Sequence, residues 1–424
     1  MQLRFVAAML ATCMAACTAT VGTTPSDGTT TPPGVDPPTT PPGDAPPPGA
    51  GSHPAFVPDI GQLMNQGGAI LKAPKIVTIV WTADPNHAMY ESLADRIGSS
   101  MLWHTALAEY GVGAAASGGH VEITTPPPVS MDDGDNDEVD AFVVAGLQGA
   151  PGNGWPVPDG NTMYMVYLPQ ATKLLFNGAD DCPNNDGYHA ETSGDVPYGL
   201  IATACVDPGS TAIDTATATA VHEMAETATD PHVDSDLAWT GFDPDHYAWE
   251  IFQQREDEDG DLCEFYDDAY APDAQLGVAV QLLWSNASAR AGHNPCVPAP
   301  SVPYFNVTAL AQDFVDVTGP GGAKHHAKGF QIPVGGEKTF AIGFYSDAQT
   351  EDWNVAAVEG NGFDSPSQHL TATLDVTKGN DGTKANVTVK VTAAPAKGTQ
   401  LLMTLISSHA TGAAHYYPVL IGAY

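Results

Sequence analysis

Between residues 53 and 300 the apolar positions follow two periods. Ile76-Val77-Thr78-Ile79-Val80-Trp81 and Thr162-Met163-Tyr164-Met165-Val166-Tyr167-Leu168 are nearly unbroken apolar runs rich in β-branched and aromatic residues. Such runs predict strands buried on both faces. Leu200–Cys205 and Val278–Trp284 predict two more strands. Met89–Tyr110 carries Leu93, Ile97, Met101, Leu102 and Leu107 at helical spacing, and a second helix is expected from about Ser210 to Ala228. Interleaved strands and helices imply a mixed α/β domain over 53–300.

From Tyr304 onward the period shortens to two. Leu370–Val376 and Ala385–Val391 alternate apolar and polar residues around the turn Gly379-Asn380-Asp381-Gly382, which predicts a hairpin. About six or seven such strands over 301–424 suggest an all-β, immunoglobulin-like sandwich.

The first 52 residues have neither pattern. Met1-Gln2-Leu3-Arg4 followed by the short apolar run Phe5–Ala16 reads as a secretion signal, too short to span a bilayer permanently. It ends in Met14-Ala15-Ala16-Cys17, similar to a lipobox, so residues 1–17 are expected to be a signal peptide with Cys17 as the lipidated residue. Leu10-Ala11-Thr12-Cys13 is a rival site, and an ordinary cleaved signal is the plainer alternative. Residues 18–52, nearly all Thr, Pro, Gly, Asp and Ala, are expected to form a disordered tether. The chain is thus expected to be exported, as a cell-envelope lipoprotein or an extracellular protein, with membrane contact only through the lipid anchor.

Charge narrows the partners. With 14 Lys and Arg against 50 Asp and Glu, the formal net charge is −36. Such a surface repels phosphate backbones and anionic headgroups, which excludes nucleic acid, and it attracts divalent cations. Beyond Cys13 and Cys17 the cysteines are Cys182, Cys205, Cys263 and Cys296. An even number in an exported chain predicts two disulfides. Proximity favours Cys182–Cys205 and Cys263–Cys296 over the other pairings. No C-x-x-C spacing supports a thiolate zinc site, and disulfide pairing leaves no thiol for catalysis.

The richest local signal is His222-Glu223-Met224-Ala225-Glu226, closed by Thr229-Asp230-Pro231. Helix positions four apart share a face, so His222 and Glu226 can hold one cation between them, zinc being the expected one. Glu223 stands where it could take a proton from water, as in the H-E-x-x-H hydrolases, with glutamate in place of the second histidine. Ile213, Thr217, Ala220, Val221, Met224 and Ala228 fall on the opposite side. An ordinary amphipathic helix with a solvated polar face is therefore the bland alternative. The acids on that face, however, have no Lys or Arg among them.

A third ligand is needed. Glu250 is the first candidate, in the position used by peptidases whose third ligand is a glutamate, and Asp230 the second, continuing the i, i+4 row. His232 has the metzincin spacing but lacks the turn glycine, and His189 would come from a separate segment. Asp257-Glu258-Asp259-Gly260-Asp261 resembles a calcium loop, but an EF-hand register puts Arg255 where an acid is required. Asp133-Gly134-Asp135-Asn136-Asp137 lacks the turn glycine at its sixth position. Calcium is therefore the second candidate cofactor. No G-x-S-x-G elbow or P-loop occurs.

Several segments together resemble the EXORDIUM-like, phosphate-induced proteins and their secreted bacterial relatives. They are Trp103 with Tyr110-Gly111-Val112-Gly113, Cys182 through Tyr188-His189, His222–Pro231, Glu250-Ile251 with Asp261-Leu262-Cys263, and Trp284-Ser285-Asn286 with Cys296. The resemblance covers most of 70–297. Here the stretch from Cys182 to His189 is longer, and an acidic insertion separates Glu250 from Asp261. The resemblance implies an extracellular domain of zincin-like appearance.

These signals lead to an expected zinc metallohydrolase, acting on a peptide or protein, with a sandwich whose own ligand is unspecified. The alternative is a non-catalytic surface protein holding a structural cation or none, including a calcium-stabilised scaffold. An open approach to Glu223 would favour the enzyme. Burial of that face under Asp261 and Cys263 would favour the display protein.

Overall fold

The structure is a computed structural model. It describes residues 53–423 apart from 135–136, 183–184, 254–256, 320–321, 363–367, 397–399 and 411. The signal peptide, Cys17 and the tether lie outside the described residues.

The buried runs form the centre of a five-stranded sheet. Its strands are β1 (Lys75–Trp81), β2 (Ala116–Ile123), β3 (Thr162–Leu168), β4 (Gly187–Glu191) and β5 (Pro197–Ala202), in the spatial order β2-β1-β3-β5-β4. All pairings are parallel except that of β4, which runs antiparallel along the edge. Alternate residues feed two separate cores. Ile76, Val80, Met163, Met165, Tyr167 and Ile201 face one layer, and Val77, Ile79, Tyr164, Val166, Leu168 and Leu200 the other. With helices on both faces a parallel sheet shows no polar side, and this explains the uninterrupted apolar reading of β1 and β3.

The long helix expected over Met89–Tyr110 is two helices, α1 (His87–Ile97) and α2 (Met101–Leu107), followed by one 3₁₀ turn. The break falls at Gly98, where a Cβ would come within 2.0 Å of the Ala115 carbonyl oxygen. Ser100 then caps α2 by accepting from the Trp103 N–H. On the opposite face lies α3 (Glu138–Gly149), whose N-cap is Asp137, so the last acid of the candidate calcium loop at 133–137 starts a helix. The next helix, α4 (Ala212–Thr229), is capped by Thr211, whose hydroxyl accepts from the Asp214 N–H and donates to the Asp214 carboxylate.

α4 corrects the amphipathic reading. From Thr215 to Thr229 every residue except His222 is buried, so the helix has no solvated polar face. Three of its hydroxyls bond back within the helix, Thr219 to the Thr215 carbonyl, Thr227 to that of Glu223 and Thr229 to that of Ala225, while Thr217 donates to the Ala279 carbonyl on the neighbouring strand. Past α4 come α5 (Tyr247–Phe252), α6 (Asp261–Glu264) and an antiparallel pair, β6 (Tyr270–Asp273) and β7 (Val278–Gln281). The strand expected over Val278–Trp284 is interrupted at Leu282, and Leu283–Trp284 pairs separately with Cys296–Val297.

The C-terminal region is sheet-rich, as expected. Four strands, β8 (Phe305–Ala309), β11 (Glu337–Ser346), β13 (Leu370–Leu374) and β15 (Lys384–Val391), make one sheet. The other contains β9 (Asp313–Thr318), β10 (Lys324–Ile332), β12 (Trp353–Glu359), β14 (Lys378–Gly379), β16 (Leu401–Ser408) and β17 (Ala414–Ala423). The sheets meet through contacts such as Phe330 on Phe340 and Phe344 on Trp353, a sandwich arrangement. β13 and β15 pair antiparallel as expected. The segment joining them is longer than a hairpin turn, because β14 crosses to pair with β12 in the other sheet.

One apolar cluster runs without interruption from the sandwich into the α4 side of the α/β layer. The hinge of that continuity is α5. Trp249 packs against Trp284 and Tyr417, and Phe252 against Tyr416. Beside it, His246 lies 3.0 Å from Asp59 and 2.7 Å from Asp243, while Lys328 from the sandwich lies 2.6 Å from Asp59.

Candidate metal centre

Three backbone segments bring their acids and imidazoles together. α4 supplies His222, Glu223 and Glu226, edge strand β4 supplies His189, and the loop entering α6 supplies Glu258, Asp259 and Asp261. The close approach depends on missing side chains. A Cβ at Gly187 would lie 2.4 Å from Thr219 Cγ2, and one at Gly260 would lie 2.7 Å from both Glu226 Oε1 and His222 Cδ2. Both glycines let backbone pass where any other residue would collide.

His222 is held by Gln281 on β7. The Gln281 amide nitrogen donates to the Gly260 carbonyl at 2.6 Å, which leaves its oxygen 3.1 Å from His222 Nδ1. Nδ1 therefore carries the proton and donates. Nε2 is then aimed between Glu226 Oε1 at 2.9 Å and Asp261 Oδ1 at 3.4 Å. The Asp261 backbone N–H donates to the same Glu226 oxygen at 3.1 Å. A histidine oriented through one nitrogen with the other facing carboxylates is the arrangement of a metal-ligating imidazole and its supporting partner.

His189 occupies the other side of Glu226. Its Nδ1 lies 3.4 Å from Glu226 Oε2 and 3.7 Å from Glu223 Oε2, and its Nε2 lies 3.5 Å from Glu258 Oε2. His189 Nε2, Glu223 Oε2 and Glu258 Oε1 are buried atoms without a hydrogen-bond partner. Unsatisfied buried polar atoms cost roughly 1–3 kcal/mol each, so their concentration here marks the cluster as a candidate site.

The electrostatics agree. Burial alone would lower both imidazoles. The facing carboxylates outweigh it, led by Glu258 for His189 and Glu226 for His222, and hold both well above the ordinary histidine value. Burial raises Glu226 too, yet His222 and His189 hold it well below the usual carboxylate range. Glu223 behaves oppositely: burial, opposed by His189 and His222, pushes it up to about 7. Burial followed by repulsion from Glu226 raises Asp259 to about 8.

The third-ligand candidates sort clearly. Glu250 is half-buried on α5, the helix packed against the sandwich, and among the described residues it falls in neither close His/Glu group; Asp261 falls in neither as well, but its Oδ1 lies 3.4 Å from His222 Nε2. Asp230 caps α4, accepting from the Ala238 N–H at 2.8 Å. His232 pairs with Glu191 at 2.9 Å. Asp261, Glu258 and His189 stand where Glu250 was expected. Asp259, in the same acidic loop, instead bonds to Thr229 at 3.1 Å. That loop was legible as cation-seeking, but its delivery to α4 depends on ties from outside it, among them the Cys263–Cys296 disulfide and the Trp284 backbone N–H donating to the Asp259 carbonyl at 2.8 Å. The other disulfide joins Cys182 and Cys205, as proximity suggested.

Glu223 is 4% exposed, packed against β4 and β5, where a Cβ at Gly187 would lie 3.1 Å from its Oε1 and one at Gly199 3.4 Å from its Cβ. His222 is the most open of the three α4 residues, its side chain 12% exposed. An open cavity of about 600 Å³ lies between α4 and the β6–β7 pair, lined by Thr215, Ala218, Val278 and Ala279 with Asp207 and Asp214. Ala218 is one helical turn before His222, and Ala279 is two residues before Gln281. The cavity thus lies along α4 from the cluster, and none of His222, Glu223 and Glu226 lines it.

No protein-family model and no curated protein matches the chain. Among solved structures, a Bacteroides ovatus GH5 xyloglucanase in complex with a XXXG heptasaccharide shares 13% identity over 23% of this chain and 17% of its own, with a TM-score of 0.15. The secreted serine protease VesC from Vibrio cholerae shares 14% identity over 27% of this chain and 23% of its own, with a TM-score of 0.16. At those scores neither bears on fold or function.

Proposed function

We propose that the chain is a zinc-dependent hydrolase acting on a peptide or protein, with His222, Glu226 and Asp261 as the metal-holding residues. The observation carrying this reading is the Gln281–His222 arrangement, which commits Nδ1 to donation and leaves Nε2 facing two carboxylates. The mixed nitrogen and oxygen donor set suits zinc better than calcium. A bound zinc ion would supply Lewis acidity, polarising a carbonyl and easing deprotonation of water. Glu223 Oε2, buried and unpartnered, is the proton-holding group, and its raised pKa fits a base that accepts and returns a proton near neutral pH. His189 Nδ1, 3.7 Å away, steadies the ionised form of Glu223. The zincin-like character of the α/β region, the lipid anchor at Cys17 and an immunoglobulin-like spacer role for the sandwich belong to this same proposal.

A second reading has its own observation. Glu223 is 4% exposed and packed against β4 and β5, which favours a structural cation locking a displayed protein. Metal analysis of the purified chain with His222→Ala and Glu223→Gln separates the readings. The hydrolase requires about one zinc or more per chain, lost in His222→Ala, and peptide hydrolysis abolished in Glu223→Gln with zinc retained. Zinc without hydrolysis in the wild type leaves the structural reading. A metal-free, stable wild type removes both.

A further inference from the structure

The two oxygens of Glu226 face different histidines. Oε1 lies 2.9 Å from His222 Nε2, and Oε2 lies 3.4 Å from His189 Nδ1. Each imidazole also has a carboxylate of its own: Asp261 for His222 at 3.4 Å, and Glu258 for His189 at 3.5 Å. The side chains fall into two overlapping sets, His222 with Glu226 and the proton-holding Glu223, and His189 with Glu226 and Glu258. Within each set the ligand atoms lie no more than 4.8 Å apart, and Glu226 is the shared member.

We propose that this cluster holds two divalent transition-metal cations bridged by Glu226, the second on the His189–Glu258 side. The inference rests on the single-metal reading above and extends it. A carboxylate that bridges through both oxygens sets two ions about 3.5–4 Å apart, the spacing of two-metal hydrolytic sites.

Two observations beyond proximity support it. The His189 side chain is only 5% exposed, yet its Nε2 has no hydrogen-bond partner and points at Glu258, whose Oε1 is likewise unpartnered. The charge balance points the same way. Glu223, Glu226, Glu258 and Asp261 can carry four negative charges around two imidazoles, and no Lys or Arg pairs with any of them among the described residues. Histidine at both positions selects zinc, cobalt or manganese over calcium.

The competing arrangement needs no second ion: His189 would remain an imidazolium counter-charge to Glu223, Glu226 and Glu258. Stoichiometry decides between them. The full chain, stripped with chelator and titrated with cobalt(II) alone, is expected to bind two ions and to show magnetic coupling between them in its EPR spectrum. His189→Gln and, independently, Glu258→Gln should each reduce binding to one ion and abolish the coupling while the thermal transition persists. One ion in the wild type, unchanged in both variants, overturns the second site and leaves the His222 site standing. No cobalt or zinc bound to a folded wild type defeats both proposals together.

Discussion

Gln281 grips His222 from behind. Its amide spans from the Gly260 carbonyl to His222 Nδ1 and so fixes both the imidazole and the loop that carries Glu258 and Asp261. Gln281→Leu should keep the β6–β7 pair but release the ring. Supporting partners of this kind are worth about 10–100-fold in metal affinity. Competition titration with a chromogenic chelator measures the loss. Unchanged affinity would show that His222 is not a ligand.

Gly260 offers a steric test of the same contact. A Cβ there meets Glu226 Oε1 and His222 Cδ2 at 2.7 Å, so Gly260→Ala must push the acidic loop away from α4. Overpacking of this kind costs roughly 1–3 kcal/mol. Metal retention should fall together with stability, read by calorimetry with and without added zinc. Gly277→Ala is an informative control. It has the strain of a positive φ but nothing within 4 Å of its Cβ, and it lies away from the cluster.

The Cys263–Cys296 bridge closes 33 residues and lies two positions beyond Asp261. Loop-closure entropy for that length corresponds to roughly 3–4 kcal/mol. Replacing both cysteines by serine should lower the melting temperature and weaken zinc retention, because the loop loses its tether. Replacing the Cys182–Cys205 pair should lower stability with a smaller effect on zinc. Equal zinc loss in both would argue against a specific role for the Cys263 tether.

The sign of the acid response at the junction follows from Asp59. Although burial alone would raise it, bonds to His246 and Lys328 lower it to about 2. Its contribution is therefore present above the unfolded carboxylate value near 3.8 and disappears as pH falls towards 2. His246, raised from 6.5 by Asp243 and Asp59 against the effect of burial, contributes fully below 6.5 and loses its part as pH rises through its folded value. The junction should be strongest between about pH 4 and 6.5. Because the Asp59 side chain is 38% exposed, solvent screening limits its share to about 1 kcal/mol. Asp59→Asn should thus lower the melting temperature at pH 5–6 and match the wild type near pH 2.

The shared apolar cluster implies joint unfolding. Trp249→Ala removes a side chain lodged between Trp284 and Tyr417, and such truncations cost about 3–5 kcal/mol. The wild type should melt in one calorimetric transition, and Trp249→Ala should lower it or split it in two. Two independent transitions in the wild type would mean that the contact contributes little.

Legibility in the sequence followed the range of the interactions. β1, β3 and α4 were readable because their apolar periods are local. The break at Gly98 was missed because its cause, the Ala115 carbonyl, belongs to a later segment. α4 looked two-faced because threonines count as polar in a pattern, whereas the hydroxyls of Thr219, Thr227 and Thr229 here return to carbonyls one turn back. In the candidate site, the i, i+4 geometry of His222 and Glu226 was visible from spacing alone. Asp261 over Glu250, and His189 from an edge strand, depend on where a disulfide-tethered loop and a five-stranded sheet deliver them. The acidic run at 257–261, with no basic partner nearby in sequence, was the available hint. An EF-hand register was the wrong frame in which to weigh it.

β17 sits in the interior of its sheet, between β10 and β16, and carries Tyr416 and Tyr417 onto α5. A growing polypeptide reaches those tyrosines more than 150 residues after α5 has been made. Until they arrive, Trp249 and Phe252 lack the wall they close against. Ribosomal order thus keeps the nascent thread pliant, and a late-emerging strand acts as the clasp that seals both halves at once.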